Sequence, residues 1–231
     1  MKIFLPGLVF LSTAFLFGCG NDSSRSTAGT PAASPAPNQA SAQTLPKIVA
    51  FGDSLTAGYG LSPKESYPSL LQQKLDADGY KYEVVNAGVS GDTSAGGVRR
   101  IDWSLDGGQV RFVILELGAN DFLRGQPIKE TRRNLSQIIE RAKARDAQVL
   151  LAGMYTTTNA GPSYLREIDE IFKSLADEHD VPLIPFFLEN VAGKQELNLE
   201  DGVHPNAEGT KIVADTVYKN LKPLLDEKEK K

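Results

Sequence analysis

Apolar positions along the chain follow two spacings that alternate. Short runs of consecutive apolar residues are typical of strands buried on both faces of a sheet. Five such runs occupy residues 48–51, 82–86, 112–117, 149–152 and 181–187. Each run is followed by a longer segment in which apolar residues recur three or four positions apart, as on one face of a helix. This alternation predicts a three-layer α/β/α fold around a five-stranded, doubly wound parallel sheet.

The helical spacing is clearest in two segments. One begins at Tyr67-Pro68 and continues with Leu70, Leu71, Lys74 and Leu75; the other carries Leu135, Ile138, Ile139 and Ala142. A final helix is predicted from about residue 206 to 221, with Ile212, Val213, Val217 and Leu221 facing inward.

The first 45 residues do not have the composition of a fold. A positive start and an apolar stretch at residues 3–17 predict a signal peptide over residues 1–18, since a membrane span needs about 20 apolar residues. The segment Leu16-Phe17-Gly18-Cys19 resembles the bacterial lipobox, which implies that Cys19 is lipid-modified and that the exported protein is membrane-anchored. A plain signal peptide followed by an unmodified cysteine is the alternative.

Composition divides the rest of the chain. Residues 19–45 are mostly small and polar, which predicts a disordered tether; residues 46–225 form the predicted domain, and residues 226–231 a charged tail. The formal net charge of −4 and the absence of a basic patch exclude a nucleic-acid footprint. Cys19 is the only cysteine, so the domain has no disulfide, and two histidines are too few for a typical zinc site. We therefore expect neither a metal nor a cofactor.

Polar motifs follow the first three predicted strands. Ser54 lies in Gly-Asp-Ser-Leu after the first strand, Gly88 in Asn-Ala-Gly after the second, and Asn120 in Gly-Ala-Asn-Asp after the third. Each motif alone is typical of a helix cap or a turn. Because ligands bind beyond the carboxyl ends of parallel strands, the three together predict one site.

A histidine and a carboxylate complete a candidate serine-hydrolase site. A serine hydroxyl becomes an effective nucleophile when an imidazole takes its proton and a carboxylate orients that imidazole. Asp201 and His204 are three residues apart, one turn if the segment is helical. The only other histidine, His179, lies where a polar helix end meets an apolar strand, which favours a surface or helix-terminal role.

Together these motifs resemble the four blocks of the GDSL or SGNH hydrolase family, in the right order and across nearly the whole domain. The longer strings Leu-Gly-Ala-Asn-Asp-Phe-Leu-Arg-Gly, Pro-Phe-Phe-Leu-Glu and Asp-Gly-Val-His-Pro-Asn resemble its bacterial esterase, acyl-CoA thioesterase and lysophospholipase group. The resemblance implies Ser54, Asp201 and His204 as catalytic residues. It also implies an oxyanion hole made by the Ser54 and Gly88 backbone N–H groups and the Asn120 side-chain amide.

Three further aspartates lie near these motifs. Asp53 could rival Asp201 as the orienting acid, but we assign it to capping or loop hydrogen bonds. Asp92 and Asp121 are likewise interpreted as loop structure. The substrate walls are expected in four segments that follow the strands: 56–61, 89–98, 122–123 and 154–164. The last segment departs from the family's usual sequence, so the acyl-chain preference of relatives does not carry over.

These observations predict a serine esterase that forms an acyl-enzyme on Ser54 and hydrolyses aryl or acyl esters, with lysophospholipids and acyl thioesters as further substrates. Its partners would be small-molecule or lipid esters and, through Cys19, a membrane. Two alternative functions remain: an acyltransferase that forms the same acyl-enzyme but passes the acyl group to another hydroxyl, and a surface-binding lipoprotein without turnover.

Overall fold

The computed structural model describes residues 44–155 and 161–229. The signal peptide, Cys19 and nearly all of the predicted tether lie outside these residues. Five strands form one wholly parallel sheet, which confirms the predicted fold class. The strands are β1 (Lys47–Gly52), β2 (Glu83–Gly88), β3 (Val110–Glu116), β4 (Gln148–Ala152) and β5 (Leu183–Ile184).

Helices cover both faces of this sheet. They are α1 (Ser54–Ala57), α2 (Tyr67–Ala77), α3 (Ser94–Leu105), α4 (Ala119–Leu123), α5 (Ile128–Lys143), α6 (Pro162–His179) and α7 (Ala207–Glu229). Two 3₁₀ turns at Pro63–Glu65 and Gln195–Leu197 complete the described elements. Among the described residues, no helix is both long and apolar enough to cross a membrane.

The strand order β2-β1-β3-β4-β5 contains one reversal of direction. The chain passes from β1 outward to β2 and then returns across β1 to β3. Because such crossovers are right-handed, α2 and α3 lie on opposite faces of the sheet. α7 packs beside α2, while α5 packs between α3 and α6. The switch point between β1 and β3 is where a ligand site is expected in such a sheet.

Two elements differ in length from the predicted ones. β5 has two residues instead of the seven in the apolar run, and Pro182 and Pro185, which lack N–H donors, bracket it. α7 continues through Pro223 to Glu229, into the stretch predicted as a charged tail. Leu221 and Leu225 are fully buried on either side of this proline, so packing supports the helix where its backbone lacks one donor.

Gly153, directly after β4, lies very close to the backbone at the end of β5. Its N–H donates to the Ile184 carbonyl, and a Cβ at this position would overlap the Pro185 carbonyl oxygen. We predict that Gly153→Ala lowers the free energy of unfolding by about 1–3 kcal/mol, because backbone must move to admit the methyl group.

Urea unfolding measures this change, and Gly107→Ala is the matched control. A Cβ at Gly107 would meet only the Lys47 side chain, at an ordinary contact distance of 3.5 Å. Equal stability of the two variants would contradict the prediction.

Candidate active site

Ser54, His204 and Asp201 form a hydrogen-bonded chain at the carboxyl edge of the sheet. Ser54 is the first residue of α1, directly after β1, and its Oγ lies 2.9 Å from His204 Nε2. His204 Nδ1 lies 2.7 Å from Asp201 Oδ2. An Nδ1–H that donates to Asp201 leaves Nε2 as an acceptor for the Ser54 hydroxyl proton.

A tight loop, and not the helical turn considered from the sequence spacing, brings Asp201 and His204 together. Leu199 N donates to the His204 carbonyl at 2.8 Å, so the chain doubles back on itself between them. Gly202 lies at the turn with φ of +69°, in the left-handed region that glycine adopts without strain. Asn206 ends the loop by accepting from the N–H groups of Glu208 and Gly209 at the start of α7.

The Asp201 carboxylate is held in its charged form. Its Oδ1 accepts the backbone N–H groups of His204 and Val203 at 3.0 and 2.9 Å. These two donors lower the pKa of Asp201 to about 2. Asp201 therefore stays ionised throughout the pH range in which a neutral imidazole can act as a base.

Asp53 joins the Ser54 loop to the Asn120 loop. One of its carboxylate oxygens accepts the Leu55 N–H at 3.0 Å and caps α1, and the other accepts from Asn120 Nδ2 at 2.8 Å. This bond fixes the Asn120 amide and occupies one of its two N–H groups, which leaves the second for a ligand. Asp53 is buried, and burial raises its pKa to about 6, although these hydrogen bonds oppose the rise.

Gly88 does not reach the cavity beside Ser54, contrary to its predicted place in an oxyanion hole. It is the last residue of β2, and its N–H donates to Asn86 Oδ1, two residues earlier, at 3.0 Å. A Cβ at Gly88 would overlap Ala57 N, so this glycine serves the close packing of α1 on β2. Gly91, three residues later, lines the cavity in its place. The string Asn-Ala-Gly-Val-Ser-Gly contains both Gly88 and Gly91, and the sequence alone does not tell which of the two faces the cavity.

Arg100 holds the loop that carries Gly91. Its guanidinium donates to the carbonyl oxygens of Gly52 and Ala87 at 2.8 and 2.7 Å, at the ends of β1 and β2. It also pairs with Asp92 at 2.7 Å and lies over the Phe51 ring. Asp92 thus belongs to the loop structure, as interpreted from the sequence.

Asp121 is also part of the scaffold. It is buried and accepts from the N–H and the hydroxyl of Ser94 at the start of α3. Thr131 of α5 donates to the same carboxylate at 3.3 Å. Asp121 therefore connects the beginning of α4 to two helices on one face of the sheet.

A cavity of about 450 Å³ opens beside the Ser54 hydroxyl. Each predicted wall segment contributes to it: Tyr59, Ser90 with Gly91, Leu123, and Met154 with Tyr155. Phe122 instead packs edge-on against Phe172 in the core. The three threonines of the fourth wall, residues 156–158, lie outside the described residues. The walls also include Phe186, Leu188 and Val203, which lie outside the four predicted segments but within two of the longer strings that resemble the family.

His179 lies at the end of α6, as expected. Its Nε2 is 2.8 Å from Ser136 Oγ of α5, so it connects two neighbouring helices. Neither residue lines the cavity beside Ser54. Within the described part of the chain, no group of three histidine, cysteine, aspartate or glutamate side chains could hold a metal ion.

A Ser–His–Asp chain at the switch point of a parallel α/β/α sheet defines a serine hydrolase site. The profile of the GDSL-like Lipase/Acylhydrolase family matches residues 50–212, and the chain belongs to this family.

Proteins from several bacteria resemble most of the chain. It is 40% identical over 187 residues to Esterase TesA of Pseudomonas aeruginosa, which covers 81% of this chain and 92% of that protein. It is 41% identical over 179 residues to thioesterase 1/protease 1/lysophospholipase L1 of Escherichia coli K12, which covers 78% of this chain and 85% of that protein. The crystal structure of esterase EstA from Pseudoalteromonas sp., inhibited by monoethylphosphonate, matches with a TM-score of 0.75 and 36% identity over 78% of this chain and 98% of EstA.

Asp53 predicts a specific pH dependence of stability. Its folded pKa of about 6 lies above the unfolded value of about 3.9, so the folded state binds this proton more tightly. Stability from this group is therefore complete below about pH 4, is lost as pH rises through 6, and is constant above about pH 7. We expect wild type to lose up to about 3 kcal/mol relative to Asp53→Asn over this range.

Urea unfolding of both proteins between pH 4 and 7 measures the difference. Asp177→Asn, on the exposed side of α6, controls for the change in net charge. A constant difference between wild type and Asp53→Asn across this pH range would contradict the assignment.

Proposed function

We propose that the protein is a serine esterase that cleaves carboxylic esters through an acyl-enzyme on Ser54. The observation that carries this proposal is the continuous chain from Ser54 Oγ through His204 to Asp201, with polar distances of 2.9 and 2.7 Å. These are the distances over which a proton is transferred during general-base catalysis. These three hydrogen-bonded residues face a cavity large enough to hold an acyl or aryl group.

Each residue of this chain has a defined task. His204 Nε2 accepts the Ser54 proton as Oγ attacks the ester carbonyl, and the resulting imidazolium is stabilised by the Asp201 carboxylate. The imidazolium then protonates the leaving alkoxide or thiolate, which leaves the acyl group on Ser54. A water molecule, activated by the same imidazole, releases the acid and restores the hydroxyl.

The oxyanion needs preorganised donors on the cavity side of Ser54. The proposed donors are the Ser54 backbone N–H, the free N–H of the Asn120 amide and the backbone N–H of Gly91. Gly91 replaces Gly88 in this role because it lines the cavity, whereas the Gly88 N–H is bonded to Asn86. The φ of +77° at Gly91 favours glycine there, and Arg124 holds its carbonyl oxygen at 2.8 Å.

The cavity walls favour an apolar acyl or aryl group. Most of the lining side chains near Ser54 are apolar or aromatic, and Tyr155 packs against Phe186 with ring centroids 4.8 Å apart. The names of the relatives include esterase, thioesterase and lysophospholipase. Aryl and short to medium acyl esters are therefore the proposed substrates, with acyl thioesters and lysophospholipids as further ones.

The proposed location is outside the bacterial cytoplasm, facing the periplasm or the cell surface, where the protein is anchored to a membrane through Cys19. This proposal is supported by the apolar stretch at residues 3–17 and by the Leu-Phe-Gly-Cys sequence that follows it. More than one acyl chain on Cys19 would anchor the protein stably, because a single chain binds a membrane only marginally.

The hydrolase proposal predicts that Ser54→Ala abolishes turnover of p-nitrophenyl esters from acetyl to palmitoyl without loss of folding. The reason is that the alanine methyl group cannot form the acyl-enzyme. Steady-state rates with the purified protein, together with labelling by a serine-directed fluorophosphonate, measure this. Hydrolysis by Ser54→Ala at the wild-type rate would overturn the proposal. A folded wild-type protein that neither reacts with the fluorophosphonate nor hydrolyses any ester would support a binding protein.

The anchor proposal predicts that Cys19→Ser abolishes incorporation of labelled palmitate in bacteria that express the full chain. The variant should be released from the membrane fraction because its tether carries no lipid. Ser54→Ala is the matched control and should keep the label. A mature chain that retains an unmodified Cys19 would rule the anchor out.

A further inference from the structure

A buried carboxyl group lies directly behind the loop that carries Ser54. Glu116 is the last residue of β3, faces Gly52 of β1 in the sheet register and has no exposed surface. The proton-transfer chain of Ser54, His204 and Asp201 does not include it. Burying a carboxyl group is costly, so its position calls for an explanation.

The contacts of Glu116 lie on both sides of the nucleophile. Its Oε2 accepts the backbone N–H of Asp53 at 3.2 Å and the hydroxyl of Thr56 at 2.8 Å. Asp53 immediately precedes Ser54, and Thr56 follows it by two residues within α1. Because Gly52 has no side chain, nothing lies between Glu116 and this loop; a Cβ there would overlap both Thr56 Oγ1 and Glu116 Oε2.

The surroundings of Glu116 favour its neutral form. The titratable groups that face it are the carboxyl of Asp53 and the phenol of Tyr67, which lies behind Thr56. Burial, followed by the charge of Asp53, raises the pKa of Glu116 well above its ordinary value. Both effects favour the neutral carboxyl, whose Oε2 still accepts from the Asp53 N–H and the Thr56 hydroxyl.

We infer that Glu116 is a positioning residue for the proposed ester hydrolysis: it fixes both flanks of Ser54 so that Oγ stays within reach of His204 Nε2. The inference rests on the proposed function. Through Asp53 the same contact reaches Asn120, whose amide is bonded to the Asp53 carboxylate. Glu116 thus couples the position of the nucleophile to that of an oxyanion donor.

Filling space would not be enough for this task. A leucine at position 116 has a similar volume but would leave the Asp53 N–H and the Thr56 hydroxyl without their acceptor. Those groups would then move towards other partners and take Ser54 with them. A glutamine keeps an acceptor oxygen and adds no charge, so it should preserve the geometry.

The experiment compares kcat and KM of the full-length Glu116→Leu and Glu116→Gln proteins on p-nitrophenyl butyrate. We expect Glu116→Leu to lose roughly 10- to 100-fold in kcat with KM changed less than about threefold, because misplacement of a nucleophile affects the chemical step. Glu116→Gln should remain within about threefold of wild-type kcat. The rate at which a fluorophosphonate labels Ser54 should follow kcat.

Ile114→Ala controls for a general loss of stability, since Ile114 is buried two residues earlier in β3 and does not line the cavity beside Ser54. Its kcat per folded molecule should equal that of wild type. If the Glu116 variants do not fold, two Thr56 variants take their place. Thr56→Val exchanges the hydroxyl for a methyl group and should lower kcat about three- to tenfold. Thr56→Ser keeps the hydroxyl and should retain the wild-type kcat.

A wild-type kcat in folded Glu116→Leu would overturn the inference while leaving the proposed function intact. If the Glu116 variants do not fold, a wild-type kcat in Thr56→Val would do the same. An equal loss of kcat in Glu116→Gln and Glu116→Leu would overturn it as well, because the charge and not the acceptor would then matter. A wild-type protein without Ser54-dependent hydrolysis or labelling would refute the proposed function and this inference with it.

Discussion

The close approach of β1 and β3 at Gly52 is the constraint on which the site depends. Gly52 pairs with Glu116 across the sheet, and neither the Thr56 hydroxyl nor the Glu116 carboxyl leaves room for a Cβ at position 52. With the two strand ends this close, the loops that follow them can share hydrogen bonds. The bond from Asn120 to Asp53 is the result, and it sets a potential oxyanion donor beside Ser54.

The charges near Ser54 are divided between its two sides. On the solvent side, Asp201 is held ionised by backbone N–H groups, where it can stabilise an imidazolium. On the buried side, Asp53 and Glu116 are desolvated, and burial raises the pKa of each. Two carboxyl groups so close together in the interior are not both readily ionised. The carboxylate that pairs with His204 is the exposed Asp201, although Asp53 is adjacent to Ser54 in the sequence.

Membership of the GDSL-like Lipase/Acylhydrolase family accounts for the arrangement of the motifs, while the walls of the cavity come from the loops that surround them. Tyr155 and Phe186 form an aromatic contact that lines the cavity, and Tyr155 also donates to Asp169 of α6. A wall anchored to a helix in this way is less able to adapt to bulky substrates than a free loop. The strand ends, by contrast, keep Ser54 Oγ and His204 Nε2 within hydrogen-bond distance.

Much of the protein could be predicted from local patterns. Consecutive apolar residues and helical spacing are properties of neighbouring positions, so they identified the five strands, α2 and α5, and the family motifs identified Ser54, Asn120, Asp201 and His204. The tertiary structure was needed to decide which of several similar residues lies at the site. Gly91 rather than Gly88 lines the cavity, because the end of β2 packs against α1 and the chain must turn before it reaches Ser54. Glu116 lies in an apolar strand with no neighbouring motif, and only the register of β1 with β3 places it behind the nucleophile. Such contacts of Glu116 join residues 60 or 63 positions apart, and spacing along a chain does not encode which strand edges meet.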